Sequence, residues 1–107
     1  MKRYGRVVGL KPECEVAYRE AHAAVPEPVL RTIKECNIRN YSIYLRNSVL
    51  YSYFEYIGED FAADMARMAA DPATQEWWSR MDPMQIPFDD RDPGEWWSEM
   101  EEVFHVD

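Results

Sequence analysis

Apolar residues recur along this chain in two rhythms, every second position and every third or fourth. The switches between them lay out the elements. Tyr4 to Leu10, rich in Val and Gly, reads as a strand. Gly5 and Gly9 fall on one face of it, where small residues leave room for a bulky neighbour or mark a bulge. Lys11-Pro12 breaks the strand, and Pro12 starts a helix over Glu13 to Ala24. Cys14, Ala17, Tyr18, Ala21 and Val25 form its apolar stripe, with His22 at the border. Pro26 and Pro28 interrupt it, and a second helical piece runs to about Cys36 with Leu30 and Ile33 facing inward.

Ile38 to Leu45 alternates, with Tyr41, Ile43 and Leu45 on one side and Ser42 and Tyr44 on the other. The short polar Arg46-Asn47-Ser48 predicts a hairpin into an antiparallel strand over Val49 to Tyr56. That strand is aromatic or β-branched on both faces, so both faces need a cover. Gly58 ends the sheet run, and Phe61, Met65, Met68 and Ala69 return to helical spacing. Asp71-Pro72 reads as an N-cap with proline at the first helical position, restarting a helix that carries Trp77, Trp78 and Met81. Asp82 to Pro93 has no periodicity and is expected as a loop, long enough to hint at function. Glu102 to Val106 is expected as the last strand.

The order β-α-β-β-α-β is the split β-α-β plan, a ferredoxin-like α+β fold with helices on one face of a four-stranded antiparallel sheet. The other face would show tyrosines and aliphatics to water. Two such sheets packed face to face remove that exposure, so the expected architecture is a homodimer, a dimeric α+β barrel. At 107 residues and 47 % hydrophobic, the chain is expected to fold as one domain over 1–107. Aromatics reach 14 %, so some rings are expected to serve a ligand or a subunit interface.

A net charge of −8 repels phosphate backbones, which argues against nucleic acid. No apolar run is long enough for a bilayer, and the N-terminus leads into a strand instead of an apolar leader. A cytoplasmic protein with reduced thiols at Cys14 and Cys36 is expected, a disulfide between them being the alternative. Their spacing is not that of metal ligands. Asp89-Asp90-Arg91-Asp92 lacks the alternating ligands and central glycine of a calcium loop, and reads as a solvated charge run.

The candidate chemistry lies in three places. Tyr18 and His22 are four apart on one helix and share a face. An imidazole at a proline-broken helix end is suited to proton transfer. The Trp77-Trp78 pair offers flat rings with indole N–H donors, and because helical neighbours diverge by about 100° one is expected to pack while the other lines a cleft. Tyr41, Tyr44, Tyr51 and Tyr53 are read mainly as core or interface packing. Trp96-Trp97 is expected to pack or to touch a partner subunit, and His105 has no evident partner.

With these segments on view, the chain resembles the L-rhamnose mutarotase family over nearly its full length. The segments Ala17-Tyr18-Arg19-Glu20-Ala21-His22, Asn40-Tyr41-Ser42-Ile43-Tyr44-Leu45, Gln75-Glu76-Trp77-Trp78 and Glu101-Glu102-Val103-Phe104 carry the likeness. The resemblance implies a dimeric ferredoxin-like α+β barrel that interconverts the α and β anomers of a deoxy-hexose without cofactor or metal. It implies His22 as proton donor and Tyr18, Tyr41, Trp77 and Trp78 as sugar contacts. A shorter hairpin at Arg46 to Ser48, the Asp/Pro-rich stretch after Met81 and the added Trp96-Trp97 depart from the family pattern. They leave open which sugar is used, L-fucose among them. Two rival readings share the architecture: an oxygenase-like barrel enzyme whose histidine serves haem or oxygen chemistry, and a sugar-binding module without catalysis.

Overall fold

A computed structural model describes residues 1–107. Strand β1 spans Lys2–Leu10, helix α1 Glu15–His22 and helix α2 Glu27–Glu35. The hairpin strands are β2, Ile38–Arg46, and β3, Val49–Tyr56. Helix α3 covers Phe61–Ala70 and α4 Pro72–Met81, followed by two short strands, β4 at Gln85–Ile86 and β5 at Ser98–Met100. Single 3-10 turns at Pro12–Cys14 and Asp82–Met84 lead into α1 and out of α4.

The sheet runs β2-β3-β1-β4 with every pairing antiparallel, and β5 also pairs with β1. β1 and β2 are therefore parallel and separated by β3, which is the split β-α-β arrangement expected. The helices cover the face bearing Tyr4, Val8 and Leu10 of β1 and Leu50, Ser52, Phe54 and Tyr56 of β3, all buried. The opposite face carries Tyr44 and Tyr51, directly paired across β2 and β3 and 63 % and 39 % exposed.

Local sequence explains the turns. The hairpin closes on Asn47 and Ser48, both at positive φ, as a two-residue turn of the twist-matched kind requires. Asp60 caps α3 by accepting from the Ala63 N–H. Asp71 caps α4 by accepting from the Thr74 N–H at 3.0 Å and hydroxyl at 2.8 Å, with Pro72 at the first helical position. The Thr32 hydroxyl also donates to Asp71, at 3.0 Å, tying α4 to α2. Both cysteines are free thiols, Cys36 buried and Cys14 half-buried. No helix is long and apolar enough to cross a membrane.

The expected last strand at Glu102 to Val106 is corrected. The strand is Ser98–Met100, and residues 101–107 lie in no regular element. Ser98 faces Val7 and Met100 faces Gly5, and the ladder stops there. Beyond it Glu102 is tied to β1 by the Arg3 side chain at 2.8 Å and not by backbone pairing. Val103, Phe104 and Val106 are left 91 %, 79 % and 73 % exposed. The loop expected over Asp82 to Pro93 contains β4 at its start, so β4 and β5 share one edge of β1 and the acidic stretch loops out between them. Gly9 serves this edge, because a Cβ there would lie 2.8 Å from the Ile86 carbonyl oxygen.

Candidate active site

Between the sheet and the helices lies a cavity of about 490 Å³, within the size range of small-molecule sites. Helix α1 delivers two of its walls. Tyr18 is 5 % exposed, and its ring lies 4.2 Å from that of His22, centroid to centroid. His22 closes α1, and its Nδ1 sits 2.8 Å from the Tyr18 carbonyl oxygen one turn back. A carbonyl only accepts, so Nδ1 carries the proton and the neutral ring presents its lone pair at Nε2. Nε2 has no hydrogen-bond partner within the chain.

Helix α4 supplies the tryptophans, and the 100° divergence separates them as expected. Trp77 is 8 % exposed and stands edge-on to His22, centroids 5.1 Å apart, with the Arg80 guanidinium 5.3 Å from its ring. Trp78 is 38 % exposed, and both rings line the cavity. The histidine is thus held between a phenol and an indole.

Tyr41 reaches the cavity beside an irregularity in β2. Arg39 pairs with Glu55 and Ser42 with Tyr53, so Asn40 and Tyr41 together oppose Phe54. This is a β-bulge, with Asn40 at φ 50. The extra residue resets the alternation, so that Tyr41 shares the inner face with Ile38 as well as with Ile43 and Leu45, its ring edge-on to Phe54 with centroids 5.7 Å apart. Tyr41 remains 44 % exposed, but desolvation at the cavity pushes its pKa up, and the Arg6 charge draws it back. Burial pushes Tyr18 further, to about 12, against the Gln85 hydrogen bond that lowers it. Both phenols are neutral hydrogen-bonding groups at physiological pH.

Every side chain read as a sugar contact, Tyr18, Tyr41, Trp77 and Trp78, therefore meets His22 around one cavity. The geometry offers one proton-transfer group, neutral hydroxyl and indole donors, and flat apolar walls. No three His, Cys, Asp or Glu side chains converge in a metal-holding group.

A model of the L-rhamnose mutarotase family matches residues 3–106. The chain belongs to the L-rhamnose mutarotase family. The mutarotases of this family are isomerases that interconvert sugar anomers. The L-rhamnose mutarotase of Ligilactobacillus salivarius is 30 % identical over 110 residues, covering 98 % of this chain and 97 % of that one. That of Phocaeicola vulgatus is 30 % identical over 109 residues and covers all of both. The crystal structure of L-rhamnose mutarotase FA22100 from Formosa agariphila is similar over the whole of both chains, with a TM-score of 0.78 at 20 % identity. Tetracenomycin F2 cyclase from Streptomyces glaucescens is similar over all of this chain and 98 % of that one, with a TM-score of 0.68 at 18 % identity. These two likenesses support the fold, that of the α+β barrel proteins.

Beside the side chains singled out from this mutarotase sequence, the structure brings others into the cavity. Gln85 is 6 % exposed and donates through Nε2 to the Tyr18 hydroxyl at 3.3 Å. Trp96 donates to Gln85 Oε1 at 2.8 Å, and Trp97 lines the same wall. The reading of Trp96-Trp97 as packing or a subunit contact thus leaves out a hydrogen bond within the chain. Arg6 lies over the Phe54 ring at 5.3 Å, and Asp82 at the end of α4 has its carboxyl pushed up by burial. The length of the Asp/Pro-rich stretch is the one signal in the sequence for Gln85, and Trp96 is marked there only as half of a tandem pair. Arg6 sits in a strand with no signal at all.

Proposed function

We propose that this chain interconverts the α and β anomers of L-rhamnose, or of a related 6-deoxy sugar such as L-fucose, with His22 as the proton-transfer group. The observation that carries the reading is the His22 ring, held between Tyr18 and Trp77 at the cavity with Nδ1 engaged and Nε2 free. Nε2 takes the proton of the anomeric hydroxyl as the bond from the anomeric carbon to the ring oxygen breaks and the aldehyde forms. The same proton is then handed to the former ring oxygen, which stays on C5 and becomes its hydroxyl. Rotation about the bond to the aldehyde carbon and the reverse transfer close the other anomer. No proton is gained or lost overall. Such general acid–base help accelerates by roughly 10²–10⁴-fold, enough for a reaction that already proceeds in water.

Trp77 and Trp78 provide flat faces for the sugar's C–H groups, and Tyr18 and Tyr41 hydrogen-bond its oxygens. We read residues 1–107 as one domain acting as a homodimer through the outer sheet face, where Tyr44, Tyr51, Ile86 and Met100 are exposed. Free thiols at Cys14 and Cys36 fit a reducing cytoplasm.

Saturation transfer between the anomeric proton resonances of L-rhamnose, L-fucose and other 6-deoxy sugars tests the reading. Accelerated exchange for one of them is expected. Sugar binding with an unchanged exchange rate would turn the reading into that of a binding module. A haem absorption band in the purified protein would favour the oxygenase-like alternative.

A further inference from the structure

Three side chains form a hydrogen-bonded line from the Asp/Pro-rich segment into the cavity. The segment is shaped by a turn at Asp92-Pro93-Gly94-Glu95. Proline is second, Gly94 is third at φ 85, and the Glu95 N–H donates to the Asp92 carbonyl at 3.0 Å. These are the residues a type II turn calls for. The turn is closed further by Glu95 accepting from the Asp92 N–H at 3.1 Å. It places the next residue, Trp96, with its indole N–H on Gln85 Oε1 at 2.8 Å, and Gln85 Nε2 on the Tyr18 hydroxyl at 3.3 Å.

Chemistry fixes the direction of this line. An indole N–H only donates, so the amide oxygen of Gln85 must face Trp96 and its nitrogen must face Tyr18. The Tyr18 oxygen therefore accepts, and its single hydrogen is left over. That hydrogen has no acceptor within the chain. Tyr18 lines the cavity beside His22.

We propose that Gln85 and Trp96 are positioning residues that hold Tyr18 as a hydrogen-bond donor to the ring oxygen of the sugar. This rests on the mutarotase reading above. A pyranose ring oxygen bears no hydrogen and can only accept, whereas the anomeric hydroxyl can donate. The site answers with the opposite pair: a donor on Tyr18 and an acceptor at His22 Nε2. Negative charge builds on the ring oxygen as its bond to the anomeric carbon lengthens, so the Tyr18 hydrogen bond strengthens towards the transition state. Its loss then lowers kcat more than it raises KM. Burial of Tyr18 suits the role, because it keeps the hydrogen on the phenol through neutral pH.

The test is Gln85→Glu. The carboxylate still accepts from Trp96, but it has no hydrogen to give and captures that of Tyr18, withdrawing the donor from the cavity. With L-rhamnose as substrate, kcat for anomer exchange should fall roughly tenfold or more, as in Tyr18→Phe. The double variant Gln85→Glu/Tyr18→Phe should be no slower than the slower single variant. Trp96→Phe, which keeps a ring and removes only the N–H, should give a smaller fall that vanishes on the Tyr18→Phe background. This covers the case in which Gln85→Glu does not fold. Parental kcat in Gln85→Glu, or losses that multiply in the double variants, would overturn the proposal while leaving the mutarotase reading intact. A parent protein that does not accelerate the exchange overturns both.

Discussion

The Nδ1 of His22 lies 2.8 Å from the backbone carbonyl oxygen of Tyr18, one helical turn earlier. Position i of the helix thereby sets the tautomer at position i+4, with no further side chain needed. If the free Nε2 carries the proton transfer, His22→Ala should cut anomer exchange by roughly 10²-fold or more. The variant should keep its circular dichroism spectrum, because His22 is only partly buried at the end of α1. His22→Gln, which keeps much of the shape and shuttles no proton, should be equally slow. Saturation transfer at matched protein concentration measures both, and parental exchange in either variant would remove His22 from the reaction.

The two neighbouring tryptophans should separate in their effects. Trp77 is 8 % exposed and belongs to the core with Val8, Leu10 and Leu50, so Trp77→Ala should destabilise by about 3–5 kcal/mol in urea unfolding. Trp78 is 38 % exposed and lines the cavity, so Trp78→Ala should leave the midpoint nearly unchanged. It should weaken L-rhamnose binding roughly threefold to tenfold, as read by titration. Equal destabilisation by the two would mean that Trp78 is also a packing residue.

Asp71 ties the helix carrying both tryptophans to α2, and this link should be sensitive to acid. The Thr74 hydroxyl, the Thr74 N–H and the Thr32 hydroxyl all donate to its carboxylate and lower its pKa below the ordinary value of 3.8. A lowered pKa means that the stabilisation is fully present above about pH 4, where the unfolded chain's carboxyl is already ionised. It is lost as pH falls through the lower folded value. Asp71→Ala should lower the thermal midpoint by roughly 5 °C at pH 7. Asp71→Asn, still able to cap, should lose less at pH 7 and show a flatter decline below pH 4. An Asp71→Asn profile parallel to the parent's would assign the acid sensitivity to other carboxylates.

The outer sheet face supplies the test for the dimer. Sedimentation at micromolar concentration should return twice the chain mass of 12.7 kDa. Tyr44→Lys/Tyr51→Lys places two positive charges on directly paired positions of that face and should shift the protein towards monomer. A parent that sediments as a monomer would show that water covers these rings. A charged variant that remains a dimer would move the contact elsewhere, to a surface such as the exposed Val103 and Phe104.

Local periodicity was enough for the order of the elements from β1 to α4, the hairpin closed by Asn47 and Ser48, the proline break after α1 and the aspartate cap of α4. Each of these depends on residues within a turn or two of one another, and the chain obeys them wherever it folds. The shared face of Tyr18 and His22 and the divergence of Trp77 from Trp78 follow from helical geometry in the same way. Other features depend on partners distant in sequence. Alternation puts Tyr41 with Ile43 and Leu45, but that Ile38 shares their face needs a bulge defined only by the strand it pairs with. Where the last strand lies is decided by its pairing with β1, and polar Ser98 and Glu99 pair while apolar Val103 and Phe104 do not. Gln85 meets Tyr18 across 67 positions and Trp96 across 11, contacts that no spacing rule encodes. A hydrogen bond between distant residues forms because the packed sheet and helices bring the two groups within reach and exclude the water that would otherwise satisfy them.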